Sequence, residues 1–321
     1  MIASRANLEA RARILAAVRG WFAAEGFLEV ETPARVRSPG QEVHLDAVGA
    51  GHERGEPRWL VTSPEYHMKR LVAEGFPRLV QIGKCWRGGE SGPHHLGEFT
   101  MIEWYRANAP LEALADDCER LLRLAVEAGG RDPGPAGLER PFARTTVRDL
   151  YAEQAGIALA GDEPAAALRA AAIAAGVAVG SATAWDDVFY QVFLDRIEPA
   201  LGRRGPTFVF DWPAPLAALA RPKPGDPRVV ERFELYAGGL ELANAFGELG
   251  DAAEQRRRFE AEARERAARG KDVYPVDEAL LAALPAMPPT AGIALGFDRL
   301  VMLALGAADI REVVAFGGDV P

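Results

Sequence analysis

The stretch from Gln81 to Arg106, QIGKCWRGGESGPHHLGEFTMIEWYR, constrains this chain more than any other. An apolar approach (Leu79, Val80, Ile82) runs into a glycine-rich segment that carries Arg87 and the adjacent His94 and His95. From Glu98 the alternation resumes, with Phe99, Met101, Glu103 and Tyr105 on one face of a strand by the period-two rule. The pattern predicts strand, glycine-rich loop, strand, with an arginine at the entrance and acids on the return. Such a hairpin can grip a phosphate through Arg87 and present Glu103 and Tyr105 to a second ligand. The same pattern also fits a plain surface hairpin.

Composition narrows the partners. The 321 residues carry 37 Lys and Arg against 46 Asp and Glu, a formal net charge of -9. A chain that grips a nucleic-acid backbone takes most of its non-specific affinity from Lys and Arg, so this balance weighs against tRNA. ATP binding needs only a few placed cations and is unaffected. No run approaches the ~18 uninterrupted apolar residues of a membrane helix. The N-terminus MIASRANLEARARIL has charges throughout and no signal-peptide core. The two cysteines, Cys85 and Cys118, lie far apart without CxxC spacing and read as reduced thiols of a cytoplasmic protein.

Around the hairpin the chain alternates between helical and extended patterns. Leu8 to Ala24 has helical spacing with Gly26 as a stop, and Phe27 to Val30 reads as a strand closed by Thr32-Pro33. Trp59 to Thr62 is a short strand, and Ser63-Pro64-Glu65 opens a helix over Tyr66 to Val72. On that helix and just before it, Arg54, Arg58, Lys69 and Arg70 read as solvated surface. Leu111 to Ala128 is helical, Gly129 to Pro141 is a Pro/Gly linker, and Arg144 to Pro199 reads as two to four helices. Thr207 to Trp212 is strand-like, Arg221 to Arg228 is a loop, and Asp251 to Arg269 is a charged helix whose arginine triplet is a solvated face. The neighbouring His94 and His95 diverge and have no partner spaced for zinc.

Val230 to Tyr236 and Leu240 to Glu248 flank Gly238-Gly239, a hairpin signal. A two-residue loop at Ala237-Gly238 or at Gly238-Gly239 puts Glu234 and Glu241 on one face, opposed directly or diagonally. Carboxylates that close repel unless a cation lies between them, and Mg²⁺ with ATP phosphates is the natural candidate. A solvated acidic hairpin is the other reading. Asn244, Phe246 and Glu248 share a face that parity places opposite Glu241. A bulge must intervene if all of them serve one site.

Taken together, these segments resemble the class II aminoacyl-tRNA synthetases in their lysyl form. EGFLEVETP (Glu25 to Pro33) is similar to motif 1, the segment from Arg87 through His95 to Tyr105 to motif 2, and GIALGFDRLVMLALG (Gly292 to Gly306) to motif 3. RFELYAGGLELANAFGEL (Arg232 to Leu249) resembles the strand pair that holds metal and amino acid. Among such enzymes, the chain most resembles the short paralogues that lysylate elongation factor P, the elongation factor P–(R)-β-lysine ligases. The resemblance implies an α+β fold, one catalytic domain over residues 1–321 built on an antiparallel sheet flanked by helices, with a helical insertion at about 142–200. It implies Arg87 and Arg299 as catalytic groups, and ATP contacts from Arg87, Glu90, His95, Phe99, Glu241, Leu242, Gly296 and Arg299. Amino-acid contacts would come from Ser63, Glu65, Glu103, Tyr105, Asn244, Phe246, Glu248 and Ala294, and Mg²⁺ ligands from Glu234 and Glu241. A homodimer through the motif 1 segment is also implied.

Two places depart from the pattern. Lysyl forms have Arg-x-Glu where this chain has Arg87-Gly88-Gly89, with the acid one later at Glu90. They have His-Asn-Pro-Glu where it has His95-Leu96-Gly97-Glu98. The expected reaction joins lysine or (R)-β-lysine, by way of an acyl-adenylate, to a lysine side chain of elongation factor P. The alternatives are charging of tRNA and a degenerate nucleotide-binding paralogue. Only about two dozen residues precede the motif 1 resemblance, whereas an anticodon-binding barrel needs on the order of 100, which favours the protein acceptor. Ala294 stands where the tRNA synthetases resemble Gly and the ligases Ala, implying a preference for the β-amino acid.

Overall fold

Alternation along the central hairpin puts Ile102 and Trp104 on one face and Glu103 and Tyr105 on the other, and both faces are buried. The computed structural model describes residues 2–130 and 137–317, arranged as two compact units drawn from 1–134 with 248–321 and from 135–247.

In the first unit four strands run in the order Leu28–Glu29, Arg78–Gly92, His95–Ala107, Thr290–Gly296. The first pair is parallel and the others antiparallel. Helices Arg5–Ala24, Leu111–Gly129 and Phe297–Leu305 pack together with this sheet. Trp104 turns to them: its Nε1 donates to Asp117 Oδ2 at 3.0 Å, and Phe22 meets its ring edge-on at 5.4 Å. Asp117 also takes both arms of Arg106, at 2.7 and 2.8 Å, so a charge-assisted bidentate contact locks helix to strand. The helix Glu65–Ala73 packs against the two hairpin strands. A small separate sheet joins Arg35–Val36, Glu56–Leu60 and Gly49–Glu53.

The glycine-rich segment is not the open loop that its composition predicts. Pairing continues through Ser91 with Leu96 and Gly92 with His95, so only Pro93-His94 turns the chain. The register slips between Trp86 and Ser91, and there Gly88 leaves the ladder and bridges Asp46, its N–H donating to the Asp46 carbonyl at 2.6 Å. A Cβ on Gly88 would lie 3.2 Å from that carbonyl. Small residues here allow a second segment of backbone to close on the strand, which extends it.

The second unit carries the strands Leu240–Gly247, Asp226–Ala237, Thr207–Pro213 and Ala143–Thr146 in that order, with Pro222–Lys223 against Asp226–Ala237. Ala143–Thr146 is parallel to its neighbour. The segment expected to be wholly helical therefore starts as a strand. Its helices, including Ala165–Ala174 and Trp185–Val192, bury Phe189 and Phe193 in a core shared with Val209, Trp212, Val230 and Tyr236. Arg221 to Arg228, expected as a loop, is a hairpin pinned by Lys223 on Asp211 and Arg148 on Asp226, both at 2.6 Å. Of the expected Pro/Gly linker, residues 131–136 lie outside the described residues. The arginine triplet behaves as a paired surface, with Arg256 on Glu278 and Arg257 and Arg258 on Glu254. Cys85 and Cys118 are buried free thiols. Among the described residues no helix is long and apolar enough to cross a membrane.

Candidate active site

The first unit gathers Ser63, Glu65, Glu103, Tyr105 and Glu248 from three segments. The Ser63 hydroxyl accepts from the Glu65 N–H at 3.1 Å, fixing the start of the helix, and donates to Glu103 Oε2 at 2.7 Å. The Tyr105 hydroxyl donates to the other oxygen, Oε1, also at 2.7 Å. Among the described residues Glu103 is thus hydrogen-bonded by two neutral hydroxyls and by no cation. Burial, then the nearby Glu65 charge, push its carboxyl up to about 8.

Lys69, expected on the surface, is 1% exposed in its side chain and stands among these acids. It pairs with Glu65 one turn earlier on its helix and with Glu248 Oε2 at 2.5 Å. The helix turns this face to the hairpin strands, and the i,i+4 spacing puts Lys69 beside Glu65 on it. Burial pulls the ammonium down, but Glu248 and Glu65 outweigh it and hold it above the ordinary lysine range. Glu248 is pushed up to about 8, mainly by burial, with Lys69 opposing and Glu65 reinforcing.

Gly292 and Ala294 form the floor of this cluster. They lie opposite Tyr105 and Glu103 in the ladder, on the same face. A Cβ at Gly292 would strike Glu248 Oε1 and the Tyr105 ring. Glu42 stands near by: its Oε2 is shielded from solvent with no hydrogen-bond partner among the described residues, and burial followed by Glu65 raises its carboxyl.

Toward the hairpin turn, the Arg87 guanidinium lies 5.1 Å from the Phe99 ring centroid and 3.7 Å from Glu90. Its Nε is shielded from water with no hydrogen-bond partner among the described residues, a donor suited to an anion. Arg299 Nε donates to the His94 carbonyl at 3.1 Å, and its terminal nitrogen lies 2.6 Å from His95 Nε2. Arginine only donates, so that ring nitrogen is the acceptor. Gly296 caps the helix that carries Arg299. The next-door Asp298 accepts from the Thr100 N–H at 2.7 Å and pairs with Arg11 at 2.6 Å, tying helix to hairpin.

In the second unit Ala237 pairs with Leu240, so Gly238-Gly239 is the turn, with both glycines at positive φ (62° and 78°) as a primed two-residue turn requires. Tyr236 pairs with Glu241, but Leu235 pairs with Ala243. Leu242 is the extra residue of a bulge. That is the parity change which the alternation demanded: Glu241, Asn244 and Phe246 now share a face with Glu234. Arg232 stands among them. It meets Glu234 at 2.5 Å and Asn244 at 3.2 Å, with its guanidinium between the rings of Trp212 (4.3 Å) and Phe246 (5.7 Å). Tyr236 donates to the second Glu234 oxygen at 2.5 Å. Burial, then Glu241, push Glu234 up to about 7.

Among the described residues no group of three or more His, Cys, Asp or Glu is arranged to hold a metal. Glu234 and Glu241 still fit Mg²⁺: they are hard oxygen donors on one face, Glu241 helps raise the Glu234 carboxyl, and Mg²⁺ commonly takes one or two carboxylates and completes its shell with water and phosphate. Lys69, Gly292 and Arg232 were not found from the sequence. The one signal for Lys69 was its place in the row Glu65, Lys69, Val72, which is a buried face of the helix. A family model described as tRNA synthetases class II (D, K and N) matches residues 3–320.

Proposed function

The chain belongs to the class II tRNA synthetases of the D, K and N group, and from that membership we propose that it activates lysine or (R)-β-lysine and transfers it to a lysine side chain of elongation factor P. Membership brings the class II catalytic fold, a mainly antiparallel sheet with flanking helices, and ATP-dependent formation of aminoacyl-adenylates. The diamino acid is read from one observation. Glu65, Glu103 and Glu248 are buried together, with Lys69 the one ammonium beside them among the described residues. Buried acids without enough counter-charge are costly, and a ligand carrying two ammonium groups offsets that cost. The acceptor is inferred from the resemblance to the ligase paralogues and from the net charge of -9, which does not favour tRNA.

In the first step a substrate carboxylate oxygen bonds to the α-phosphorus of ATP, and pyrophosphate leaves. The attacking group is already anionic, so no general base is needed. Catalysis is positioning and charge neutralisation. Arg87 and Arg299 neutralise phosphate oxygens, with Phe99 and His95 holding the two guanidiniums in place. Glu234 and Glu241 would hold Mg²⁺, which supplies further neutralisation of phosphate charge when bound. Ser63 and Tyr105 keep Glu103 oriented toward the amino acid. In the second step the acceptor amine attacks the acyl carbon, and AMP leaves.

Incubating the protein with ATP, labelled lysine or β-lysine and either elongation factor P or total tRNA tests this reading. Label on elongation factor P supports it. Label on tRNA alone, or adenylate formation with no diamino acid, overturns it.

A further inference from the structure

We propose that Lys69 is a positioning residue of the amino-acid site, pairing with Glu65 and Glu248 and holding them in place so that the site is completed by a ligand with two ammonium groups. This rests on the diamino-acid reading above and names the residue that imposes it. Three carboxylates, Glu65, Glu103 and Glu248, face one internal ammonium. A ligand with two ammonium groups offsets the burial that raises the Glu103 and Glu248 carboxyls and so lets them lose their protons. Lys69 is fully enclosed, so its charge cannot be exchanged for that of a solvent cation. Its two partners come from distant parts of the chain, Glu65 from its own helix and Glu248 from the segment leading into Asp251.

The contacts on either side show why position matters as well as charge. Lys69 takes Glu248 Oε2, while Oε1 faces Gly292 and Tyr105, where a Cβ on Gly292 would collide with both. One carboxylate oxygen is therefore tethered and the other is held toward the face that carries Tyr105 and Glu103. The charged and titratable groups around Lys69 are Glu65 on its own helix, Glu103 and Tyr105 on the hairpin, Glu248, and Glu42 from the preceding loop, which is itself influenced by Arg87. Without Lys69, Glu65 and Glu248 lose their cation and repel each other and Glu103, so protons must be taken up in its place.

The test compares the unmutated protein with Lys69→Met and Lys69→Arg in two measurements. In lysine-dependent pyrophosphate exchange, Lys69→Met should raise KM for lysine about tenfold or more while kcat changes less, as expected for loss of a buried charge-assisted contact, and Lys69→Arg should recover most of it. In thermal unfolding without ligand, the stability lost in Lys69→Met should grow from pH 7 to pH 9.5. Lys69 opposes the rise of the Glu248 carboxyl, so without it the folded value moves further above about 8, and a group so raised goes on losing stabilisation until pH passes its folded value. A methionine that only disturbed packing would cost the same at both pH values. A pH-independent loss, or a KM unchanged in Lys69→Met, overturns the proposal. If the unmutated protein shows no exchange with lysine or β-lysine, the diamino-acid reading fails, and the pH arm still decides whether Lys69 restrains the Glu248 carboxyl.

Discussion

Gly292→Ala sets two opposed effects against each other. In a strand, adding a methyl ordinarily stabilises by reducing the freedom of the unfolded chain, by about 0.4–1 kcal/mol where the backbone permits it. Gly292 is not in the positive-φ region, so that gain is available. Space is not. The new Cβ would touch Glu248 Oε1 and lie 2.6 Å from Tyr105 Cδ1, where carbon contacts settle near ~3.5 Å. Tyr105 is 2% exposed and its hydroxyl is bound to Glu103, so the ring has nowhere to move without breaking that bond. Overpacking of this kind costs about 1–3 kcal/mol, and loss of a hydrogen bond to a charged group about 1.5–3 kcal/mol, terms that overlap and do not add. Packing therefore wins over entropy. Urea unfolding should show a net loss of about 1–3 kcal/mol, with KM for lysine raised about tenfold or more in pyrophosphate exchange. Gly296→Ala is the control for stability, because its nearest contact would be the flexible Arg299 side chain, at an ordinary 3.7 Å. If Gly292→Ala is as stable as the unmutated protein and binds lysine equally well, the close approach of Gly292, Tyr105 and Glu248 is not real.

Arg87→Ala and Arg299→Ala should each reduce pyrophosphate exchange by at least about a hundredfold, corresponding to about 3 kcal/mol of lost transition-state stabilisation, with the far-ultraviolet spectrum unchanged. Without ligand the melting temperature should fall as pH rises from about 4.5 to 8: Glu103 and Glu248 have folded values of about 8, above the ~4.3 of an unfolded glutamate, so their contribution is complete below the unfolded value and is lost through the folded one. Lysine should flatten that slope, and a melting temperature rising over this interval would contradict the raised values. Sedimentation at micromolar protein should give a dimer through the Leu8 to Pro33 segment; an active monomer would contradict it. Ala294→Gly should narrow a preference for (R)-β-lysine over α-lysine in kcat/KM, by an amount within the roughly 1–3 kcal/mol that one methyl contributes, and a preference for α-lysine in the unmutated protein would exclude the assignment.

Period and spacing carried much of this site before any coordinates. Alternation placed Glu103 and Tyr105 on one face, the Ser63-Pro64-Glu65 turn opened its helix, and Gly296 preceded the helix bearing Arg299. What stayed hidden depended on contacts between distant segments. Lys69 looked like one of several surface cations because its partner Glu248 is 179 positions later, a separation that no local pattern reports. The extension of the hairpin through Gly92 was equally concealed, since a glycine-rich composition reads as a loop, and the bridge from Gly88 to Asp46 that closes over it comes from another part of the chain. The strand Ala143–Thr146 was missed for the same reason: it is defined by its pairing with Thr207–Pro213 rather than by its own four residues.

The bulge at Leu242 shows how a contradiction in the sequence pattern can locate structure. Strict alternation sends Glu241 to one side of the strand and Asn244 and Phe246 to the other, so a regular hairpin could not bring all three onto the face of Glu234. An extra residue resolves the conflict, and its placement is narrowly limited: after Glu241, so that this acid stays opposite Tyr236, and before Asn244, so that Asn244 arrives opposite Glu234. Leu242 and Ala243 are the only residues in that interval, and both are apolar and buried. The inserted residue therefore brings no polar side chain into the core, and the parity change is made where its energetic cost is low. The outcome is a face on which Glu234 is held by Arg232 and Tyr236 with a second carboxylate diagonal to it. Removing Leu242 would leave Glu241 opposite Tyr236 and Asn244 opposite Glu234 in a regular ladder, because the Gly238-Gly239 turn fixes Glu241 and the deletion makes its spacing to Asn244 even. Mg²⁺ dependence, if it resides in this acid pair, should then survive the loss of the bulge, and its disappearance would show that the bulge itself positions the acids.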